Sequence, residues 1–306
     1  MNLSQLEYII AIDQHRHFGK AAKACFVTQP TLSMMVHKLE EELDTKIFDR
    51  SKKPIIPTAT GTLIIEQARK VLMEAKRMPE IVKEQKNVVE GNLHIGIIPT
   101  LAPYLVPLFI KNFLKKFPNI QLKIGEYTTE TIIDKLKKSE IDAGILVTPL
   151  HQNSIQEHPL FYEAFFVYTS KAFQKEYILP EDLNPNELWL LEEGHCFRSQ
   201  ILNLCELKER SNLQLQYEAG SLETLRQLVD SQEGITLLPE LAVSYLSKAK
   251  QQKLMAFHPP APVREVSLVT HRDYIKKTMI SALIEEILKG IPASMQEDKR
   301  AHLVEI

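Results

Sequence analysis

The first sixty residues combine three helical hydrophobic patterns with short polar connections. Apolar residues recur at helical spacing over residues 3–10, which predicts a first amphipathic helix. Residues 18–25 are rich in alanine and predict a short second helix, followed by a turn at 26–27. Thr28 can cap a third helix, and Pro30 fits its first turn, where the N–H that proline lacks would have no partner. The predicted buried stripe of this third helix consists of Leu32, Met35 or Val36, Leu39 and Leu43.

The other face of the third helix carries small and polar side chains that could reach base edges and phosphates. They are Gln29, Thr31, Ser33, Met34, His37 and Lys38. Residues 48–58 then predict a short strand, a basic loop and a return strand, which together form a wing. The pattern alone fits a helical hairpin with a solvated polar face equally well.

A longer helical run follows over residues 61–89, with apolar positions that step by four and three residues. This is the spacing of a two-stranded coiled-coil seam. The seam positions are Ile64, Ala68, Val71, Ala75, Met78, Val82, Gln85 and Val89. The seam predicts a dimer, and a single amphipathic helix packed on its own chain is the alternative. Pro79 lies inside the run and should kink the helix or end it early, at a cost of ~3 kcal/mol.

Strand-like and helix-like segments alternate beyond a hinge at 90–92. The predicted strands cover residues 93–99, 120–127, 141–148, 164–170, 187–193, 234–240 and 264–270. The predicted helices cover residues 100–118, 130–140, 221–232 and 275–288. This alternation predicts an α/β architecture with mostly parallel sheets. The charged C-terminal segment from Ser294 is expected to fray.

Composition and charge narrow the function classes. The 306 residues are 44% hydrophobic and 25% charged, which is ordinary globular composition. The net charge is −2, so any nucleic-acid binding has to depend on local charge. No apolar run approaches the ~20 residues of a membrane span, and the N-terminus does not resemble a secretory signal. We therefore expect a cytoplasmic protein whose three cysteines stay reduced. The sequence has no motif of a metal site, a cofactor site or an enzyme class.

Two of the cysteines, Cys196 and Cys205, lie nine positions apart in the segment GHCFRSQILNLC. Independent buried thiols, a metal site and a redox pair remain open, although zinc sites need closer spacing. His195 and Arg198 flank Cys196, and positive charge there would lower the pKa of its thiol. A helix over 196–205 would separate the two Cα atoms by roughly 13–14 Å. A disulfide needs Cα atoms within about 7 Å, so it could form only if the segment unravels.

The segment AAKACFVTQPTLSMMVHKLEEEL, followed by IFDR and TATG, resembles the winged helix-turn-helix of LysR-type transcriptional regulators. The resemblance implies that Arg50 and Lys53 lie near backbone phosphates. It also implies that the recognition helix carries Gln29, Pro30, Thr31, Ser33 and Lys38. The implied partners are double-stranded promoter DNA, RNA polymerase, and further copies of the chain in a homodimer or homotetramer.

The remaining residues resemble the two-lobed effector domain of the same family, which is similar to periplasmic binding proteins. The expected organisation is an all-α winged helix-turn-helix followed by a linker helix for dimerisation and an α/β effector domain. The expected ranges are 1–58 for the DNA-binding domain, 59–89 for the linker, about 90–162 and 268–293 for lobe I, and about 163–267 for lobe II, within a regulatory domain that covers residues 90–306.

Four segments resemble the hydrogen-peroxide-sensing members of this family: EEGHCFRSQILNLC, IPTLAPYL at 98–105, SLETLR at 221–226 and GITLLPELAV at 234–243. The resemblance implies a reversible disulfide in which Cys196 reacts with peroxide and Cys205 resolves the product. The implied peroxide pocket consists of Thr100, Thr129, His195, Arg198 and Arg264. Residues 206–219 and Pro79 depart from the family pattern.

Three functions are therefore considered. The first is a DNA-binding regulator that peroxide switches through a disulfide between Cys196 and Cys205. The second is a LysR-type regulator that responds to a small organic metabolite in the interlobe cleft, with inert cysteines. The third is a cysteine-based peroxidase, which would have no use for residues 1–60. Disulfide mapping separates the first two, and sustained peroxide turnover would identify the third.

Overall fold

The computed structural model describes residues 1–85, 89–170, 176–192, 196–205, 220–232 and 234–304. Contacts divide the chain into two compact units, residues 1–86 and residues 87–306. Among the described residues, no helix has the length and apolar character needed to cross a lipid bilayer.

The first unit contains the three predicted helices and the wing. Its elements are α1 (Leu3–His15), α2 (Phe18–Ala24), α3 (Gln29–Glu42), β1 (Phe48–Asp49), β2 (Ile56–Pro57) and α4 (Ala59–Gln85). Strands β1 and β2 pair antiparallel, which confirms the predicted wing. Apolar side chains of α1, α2, α3 and the start of α4 form one core.

Helix α3 begins as its sequence predicts. The Thr28 hydroxyl accepts a hydrogen bond from the Thr31 N–H at 3.3 Å, and Pro30 lies in the first turn. Leu32, Val36 and Leu39 are fully buried, which confirms the predicted stripe over most of the helix. Leu43 was also predicted to be buried, and this was wrong. The helix ends at Glu42, so Leu43 lies beyond the packed face and is 39% exposed.

Helix α4 continues through Pro79 to Gln85, so the early end that proline suggested does not occur. The beginning of α4 packs on its own chain, where Ile65 and Ala68 are buried against the core of the first unit. The distal part instead exposes large apolar side chains. Met78, Ile81 and Val82 are between 46% and 64% exposed. This half of the helix therefore presents the apolar surface that the predicted seam requires.

Gly61 lies in the first turn of α4 and packs closely against the backbone of Ile47. Thr58 donates a hydrogen bond to the Lys46 carbonyl at 2.7 Å and accepts one from the Gly61 N–H at 2.8 Å. A Cβ atom on Gly61 would overlap the Ile47 carbonyl oxygen, which belongs to rigid backbone. We expect Gly61→Ala to destabilise the first unit by about 1–3 kcal/mol, as measured by urea unfolding. Thr60→Ala, one residue earlier and exposed, is the control.

The second unit is built from a mixed set of helices and strands. Its helices are α5 (Ala102–Lys116), α6 (Thr129–Lys137), α7 (Cys196–Leu204), α8 (Leu222–Ser231), α9 (Glu240–Ser244), α10 (Lys248–Gln251), α11 (Lys277–Lys289) and α12 (Ala293–Gln296). Its strands are β3 (Gly91–Ile97), β4 (Ile120–Glu126), β5 (Ala143–Thr148), β6 (Ile155–Thr169), β7 (Ile235–Pro239), β8 (Leu254–Ala256) and β9 (Val263–His271).

The strands of the second unit lie in the order β4-β3-β5-β9-β6-β7, and β8 also pairs with β6. Strand β3 is parallel to β4 and β5. All other pairs are antiparallel, so the prediction of mostly parallel sheets was wrong. The cause is the long strand β6, whose first part pairs with β9 and whose last part pairs with β7 and β8. Strand β6 thereby connects the sheets of the two lobes.

The predicted strand over residues 187–193 was wrong. A 3-10 turn at Pro185–Glu187 ends where this strand was expected to begin, and Leu188 makes only an isolated bridge with Ile235. Glu193 lies outside the described residues, as do residues 206–219.

The C-terminal segment is ordered as far as Val304 instead of frayed. Leu303 forms a parallel bridge with Val263, and the Val304 N–H donates to the Val263 carbonyl at 2.9 Å. The Val304 carbonyl in turn accepts a hydrogen bond from the Gln200 side chain of α7 at 3.1 Å. The segment is held because it satisfies backbone groups at a strand edge.

Candidate redox site and nucleic-acid interface

Cys196 and Cys205 lie at opposite ends of helix α7, and neither forms a disulfide. Cys196 is the first helical residue and is 7% exposed. The Cys205 N–H donates to the Ile201 carbonyl at 3.0 Å, so the helical hydrogen bonding extends to the second cysteine. Nine residues of helix separate the Cα atoms by roughly 13–14 Å. The two sulfurs therefore cannot join while the helix is intact.

Arg264 brings positive charge to Cys196 from the neighbouring strand β9. The arginine is fully buried, and its Nη1 donates to the Thr100 hydroxyl at 3.1 Å. Its guanidinium carbon lies 5.0 Å from the centre of the Phe197 ring, next to Cys196 in the helix. Three separate segments of the chain, around residues 100, 196 and 264, thus meet at one point.

Thr129 adds a hydroxyl to this cluster. It is the first residue of α6, whose cap is the preceding Thr128. Its Oγ1 lies beside the Cys196 thiol, is buried, and makes no aligned hydrogen bond to another group of the described chain. A buried hydroxyl without a partner is costly unless a ligand or water supplies one. Thr100 was predicted to lie at the start of α5, but the helix begins two residues later, with Leu101 at its cap.

Burial raises the pKa of the Cys196 thiol above its ordinary value. The Arg264 guanidinium, the Thr129 hydroxyl and the backbone N–H groups of Phe197 and Cys196 lower the pKa, but they do not outweigh burial. The sequence predicted a lowered pKa from flanking positive charge, and this was wrong. Loss of solvent around the thiolate has the larger effect.

Arg198 binds the segment that precedes α7. Its Nη1 donates to the Leu191 carbonyl at 3.0 Å, so it fastens α7 to the preceding segment. His195, the other flanking residue of the predicted pocket, lies outside the described residues. Of the predicted pocket residues, the structure therefore gathers Thr100, Thr129 and Arg264 around Cys196.

The raised pKa has a measurable consequence for reactivity. Only the thiolate is nucleophilic, so the rate at which Cys196 is alkylated should rise about tenfold per pH unit below its pKa. We expect this rise to continue beyond pH ~8.5, the ordinary cysteine value. The measurement is pulsed iodoacetamide labelling of the full-length protein, followed by peptide mass spectrometry. A plateau reached below that pH would contradict the raised pKa.

Sequence reasoning missed Glu163, which binds Arg264 directly. Arg264 Nε donates to Glu163 Oε1 at 2.7 Å, and Nη2 approaches the same oxygen at 2.6 Å. Both residues are fully buried and lie opposite one another in the β6–β9 pairing. The available signal was a single acidic residue within the apolar run LFYEAFFVY. A charge buried in such a strand needs an opposite charge nearby.

The predicted DNA-reading residues lie at the start and on the open face of α3. Gln29, Pro30, Thr31 and Lys38 are exposed, and Ser33 is half-buried. Met34 extends this surface and is 64% exposed. Lys53 is exposed in the wing loop. These side chains are thus available to a ligand.

Arg50 is engaged within the protein. Its Nη2 binds Glu40 Oε2 at 2.9 Å, and its guanidinium lies 5.1 Å from the centre of the Phe18 ring. The Glu40 side chain is buried and also accepts the backbone N–H groups of Ile47 and Phe48 at 2.9 and 3.3 Å. Glu40 therefore joins the recognition helix to the wing. Arg50 is already paired with Glu40, so a phosphate would have to share Arg50 with this carboxylate or displace the carboxylate from it.

Comparisons with known proteins agree with this architecture. Residues 3–62 match the family model described as a bacterial regulatory helix-turn-helix protein of the lysR family, and residues 86–291 match the LysR substrate binding domain. A hydrogen peroxide-inducible genes activator from Haemophilus influenzae is 37% identical, over 88% of this chain and 90% of the relative.

Solved structures give the same result. A full-length OxyR variant from Pseudomonas aeruginosa is 36% identical, with a TM-score of 0.76 over 94% of this chain and 98% of that one. A hydrogen-peroxide-bound OxyR mutant from Corynebacterium glutamicum is 26% identical, with a TM-score of 0.61 over 94% of this chain and 92% of that one.

Proposed function

This chain belongs to the LysR family of bacterial transcriptional regulators, and from that membership and the geometry of α7 we propose that it is a peroxide-responsive regulator switched by a Cys196–Cys205 disulfide. The observation that carries the proposal is the position of Cys196 at the start of a helix, against Arg264, with Cys205 at the other end of the same helix. The names of the similar proteins, which refer to hydrogen peroxide, support it.

The first step is oxidation of Cys196. Its thiolate attacks one oxygen of hydrogen peroxide, an S–O bond forms and the O–O bond breaks. The departing hydroxide takes up a proton and leaves as water, and the cysteine becomes a sulfenic acid. The charge of Arg264 can stabilise the negative charge that develops on the departing oxygen. The Thr129 hydroxyl, which has no aligned partner among the described residues, can hydrogen-bond the peroxide.

The second step requires α7 to unwind. The Cys205 thiolate attacks the sulfenic sulfur, an S–S bond forms, and a second hydroxide leaves as water after taking up a proton. Two thiols thereby transfer two electrons to one peroxide, which becomes two waters. Because the bond shortens the Cα separation from roughly 13 Å to below 7 Å, residues 196–205 must give up their helical form. Reduction by cellular thiols resets the switch.

The DNA side of the proposal depends on α3 and α4. The recognition residues Gln29, Pro30, Thr31, Ser33 and Lys38, with Arg50 and Lys53 at the wing, contact promoter DNA. The exposed apolar positions of distal α4, including Met78 and Val82, support a dimer that binds two half-sites. The assembly is a homodimer or a homotetramer, and RNA polymerase is its partner at the promoter. We place this regulator in the cytoplasm. It is not an enzyme, because each molecule consumes one peroxide per switching event.

The test uses the reduced full-length protein and a DNA site selected in vitro with it. The protein is treated with one equivalent of hydrogen peroxide, and its peptides are mapped without reduction. A Cys196–Cys205 linked peptide together with a changed DNA footprint is expected. Both cysteines remaining free would overturn the proposal, and a footprint that only a small organic metabolite changes would assign the effector site to that metabolite.

Unwinding of α7 can be tested at an exposed position of the helix. Ser199 faces solvent, so glycine and alanine there differ mainly in helix propensity, by about 1 kcal/mol. We expect the disulfide to form up to about fivefold faster in Ser199→Gly than in Ser199→Ala, as measured by quenched-flow alkylation after excess peroxide has oxidised Cys196. Equal rates would indicate that unwinding does not limit bond formation.

A further inference from the structure

Glu163 is a second buried charge at the site, and the disulfide chemistry described above does not use it. Its Oε1 binds Arg264 through both Nε and Nη2, and its Oε2 accepts the Leu241 N–H at 3.1 Å. The carboxylate is therefore held by strand β9 and by the first turn of α9. With no exposed surface, it has no freedom to turn away from the arginine.

This contact determines which part of Arg264 faces the thiol. Glu163 takes the Nε edge, the Thr100 hydroxyl takes Nη1, and the Phe197 ring lies against the guanidinium face. An arginine side chain has several flexible bonds, and a fixed acceptor on its Nε edge removes most of that freedom. Glu163 is thus a positioning residue for the cation beside Cys196.

The same contact offsets the charge of that cation. A carboxylate paired with the guanidinium in a buried site cancels much of its field at a third group. This agrees with the net effect at Cys196, where the Arg264 charge does not overcome the effect of burial. Among the described residues, the other groups that act on the thiol are the Thr129 hydroxyl from α6 and the backbone N–H groups of its own helix. Arg198 donates to the Leu191 carbonyl.

We propose that Glu163 sets the peroxide threshold of Cys196, because it orients Arg264 and offsets the charge that the guanidinium presents to the thiol. The proposal builds on the assignment of Cys196 as the peroxide-reacting residue. With the Glu163–Arg264 ion pair in place, only a small fraction of Cys196 is the thiolate that reacts with peroxide. Removal of the carboxylate charge leaves the arginine uncompensated and enlarges that fraction.

The test is the pH profile of Cys196 alkylation in the full-length variant Glu163→Gln, which keeps an oxygen acceptor for Arg264 Nε. The midpoint of the profile should fall by about one pH unit or more, and the rate at pH 7 should rise about tenfold. Glu265→Gln is the matched control, because Glu265 is also buried but binds Thr148 and Tyr162 instead of Arg264. Alkylation of Cys25 in the same digest gives an internal reference.

A double-mutant cycle separates charge tuning from general loosening. In an Arg264→Gln background, Glu163→Gln should shift the midpoint by much less, because the residue acts through the arginine. If Glu163→Gln alone does not fold, the neutral double variant is compared directly with the wild-type protein. Its midpoint should stay close to the wild-type value, because the carboxylate already offsets the guanidinium charge. A midpoint raised by one pH unit or more in the double variant would overturn the proposal. An unchanged midpoint in Glu163→Gln, or an equal shift with and without Arg264, would overturn the proposal.

The cycle is independent of the switching hypothesis, because alkylation needs no peroxide. Parallel peroxide oxidation of the wild-type protein tests that hypothesis. Failure of Cys196 to oxidise, combined with a shifted alkylation midpoint, would reject the peroxide function alone. Normal oxidation with an unshifted midpoint would reject the role of Glu163 alone.

Discussion

Serine in place of Cys196 is expected to abolish the peroxide response completely. A hydroxyl stays protonated at neutral pH and cannot form the sulfenic acid, so no disulfide and no change of DNA footprint should follow peroxide treatment. The measurement is footprinting of the reduced and peroxide-treated variant on one DNA site. Cys25→Ser is the matched control, because Cys25 lies at the end of α2 in the DNA-binding unit and burial raises its thiol pKa. It should leave the response intact.

Replacement of Cys205 should separate the two chemical steps. In Cys205→Ser, Cys196 still reaches the sulfenic acid, but no thiol is present at the far end of α7 to displace it. The helix should stay wound and the footprint should stay that of the reduced protein. Trapping with a sulfenic-acid reagent and footprinting together report this outcome. A full footprint change in Cys205→Ser would show that oxidation at Cys196 alone is sufficient for switching.

The DNA-binding unit could be predicted from sequence because its determinants are local. A capping threonine, a proline in the first turn and a stripe of Leu32, Val36 and Leu39 each act within one or two helical turns. The wing follows from a short basic loop between two strands. The predicted burial of Leu43 was wrong because hydrophobic spacing does not show where a helix ends. The helix does not end early at Pro79, because the cost of proline at one position is overridden within a 27-residue helix; the alternative prediction, a kink at Pro79, stays a prediction.

The second unit was predicted less completely because its arrangement depends on distant pairing. Alternation of strands and helices indicated the α/β class, but the direction of strand pairing is set by β6 and β9, which are about a hundred residues apart. Residues 155–163 were not predicted as strand, and this missing half of β6 is what pairs with β9. The docking of the C-terminal segment on Val263 and Gln200 has no local signal at all.

The redox site shows the same division. Spacing and neighbours singled out Cys196 and Cys205 but left independent thiols, a metal site and a redox pair open. The family resemblance implied the redox pair together with Thr100, Thr129 and Arg264. The charge beside the thiol was assigned to His195 and Arg198 because they are near Cys196 in sequence, yet Arg198 binds the Leu191 carbonyl, and His195 lies outside the described residues. Arg264 reaches the thiol across the fold, and Glu163 accompanies it. Residues that meet only through tertiary structure were therefore the ones least accessible to sequence reasoning.

Loss of Arg264 should have the largest effect on stability of any single change at this site. In Arg264→Ala, Glu163 remains fully buried with the Leu241 N–H as its one remaining hydrogen-bond donor among the described residues. Breaking a buried ion pair in this way costs about 3–5 kcal/mol, which is a large share of a typical domain stability of about 5–15 kcal/mol. The measurement is urea unfolding followed by fluorescence of Trp189, the single tryptophan, which lies in the second unit. Arg272→Ala, an exposed arginine near the end of β9, should change stability by no more than about 0.5 kcal/mol.

A neutral replacement of the pair distinguishes a structural role from a chemical one. Apolar side chains of similar size often restore or exceed the stability of a buried ion pair, so Arg264→Met with Glu163→Leu should recover most of the loss. The same double variant lacks the Arg264 cation that can stabilise the departing oxygen, and its oxidation by peroxide should be at least tenfold slower. A stable but slow double variant would mean that the pair is kept for its effect on the thiol, at no advantage in folding. Fast oxidation in that variant would show that Arg264 does not assist the reaction. Among the described groups, the helix N-terminus and the Thr129 hydroxyl would then remain to stabilise the departing oxygen.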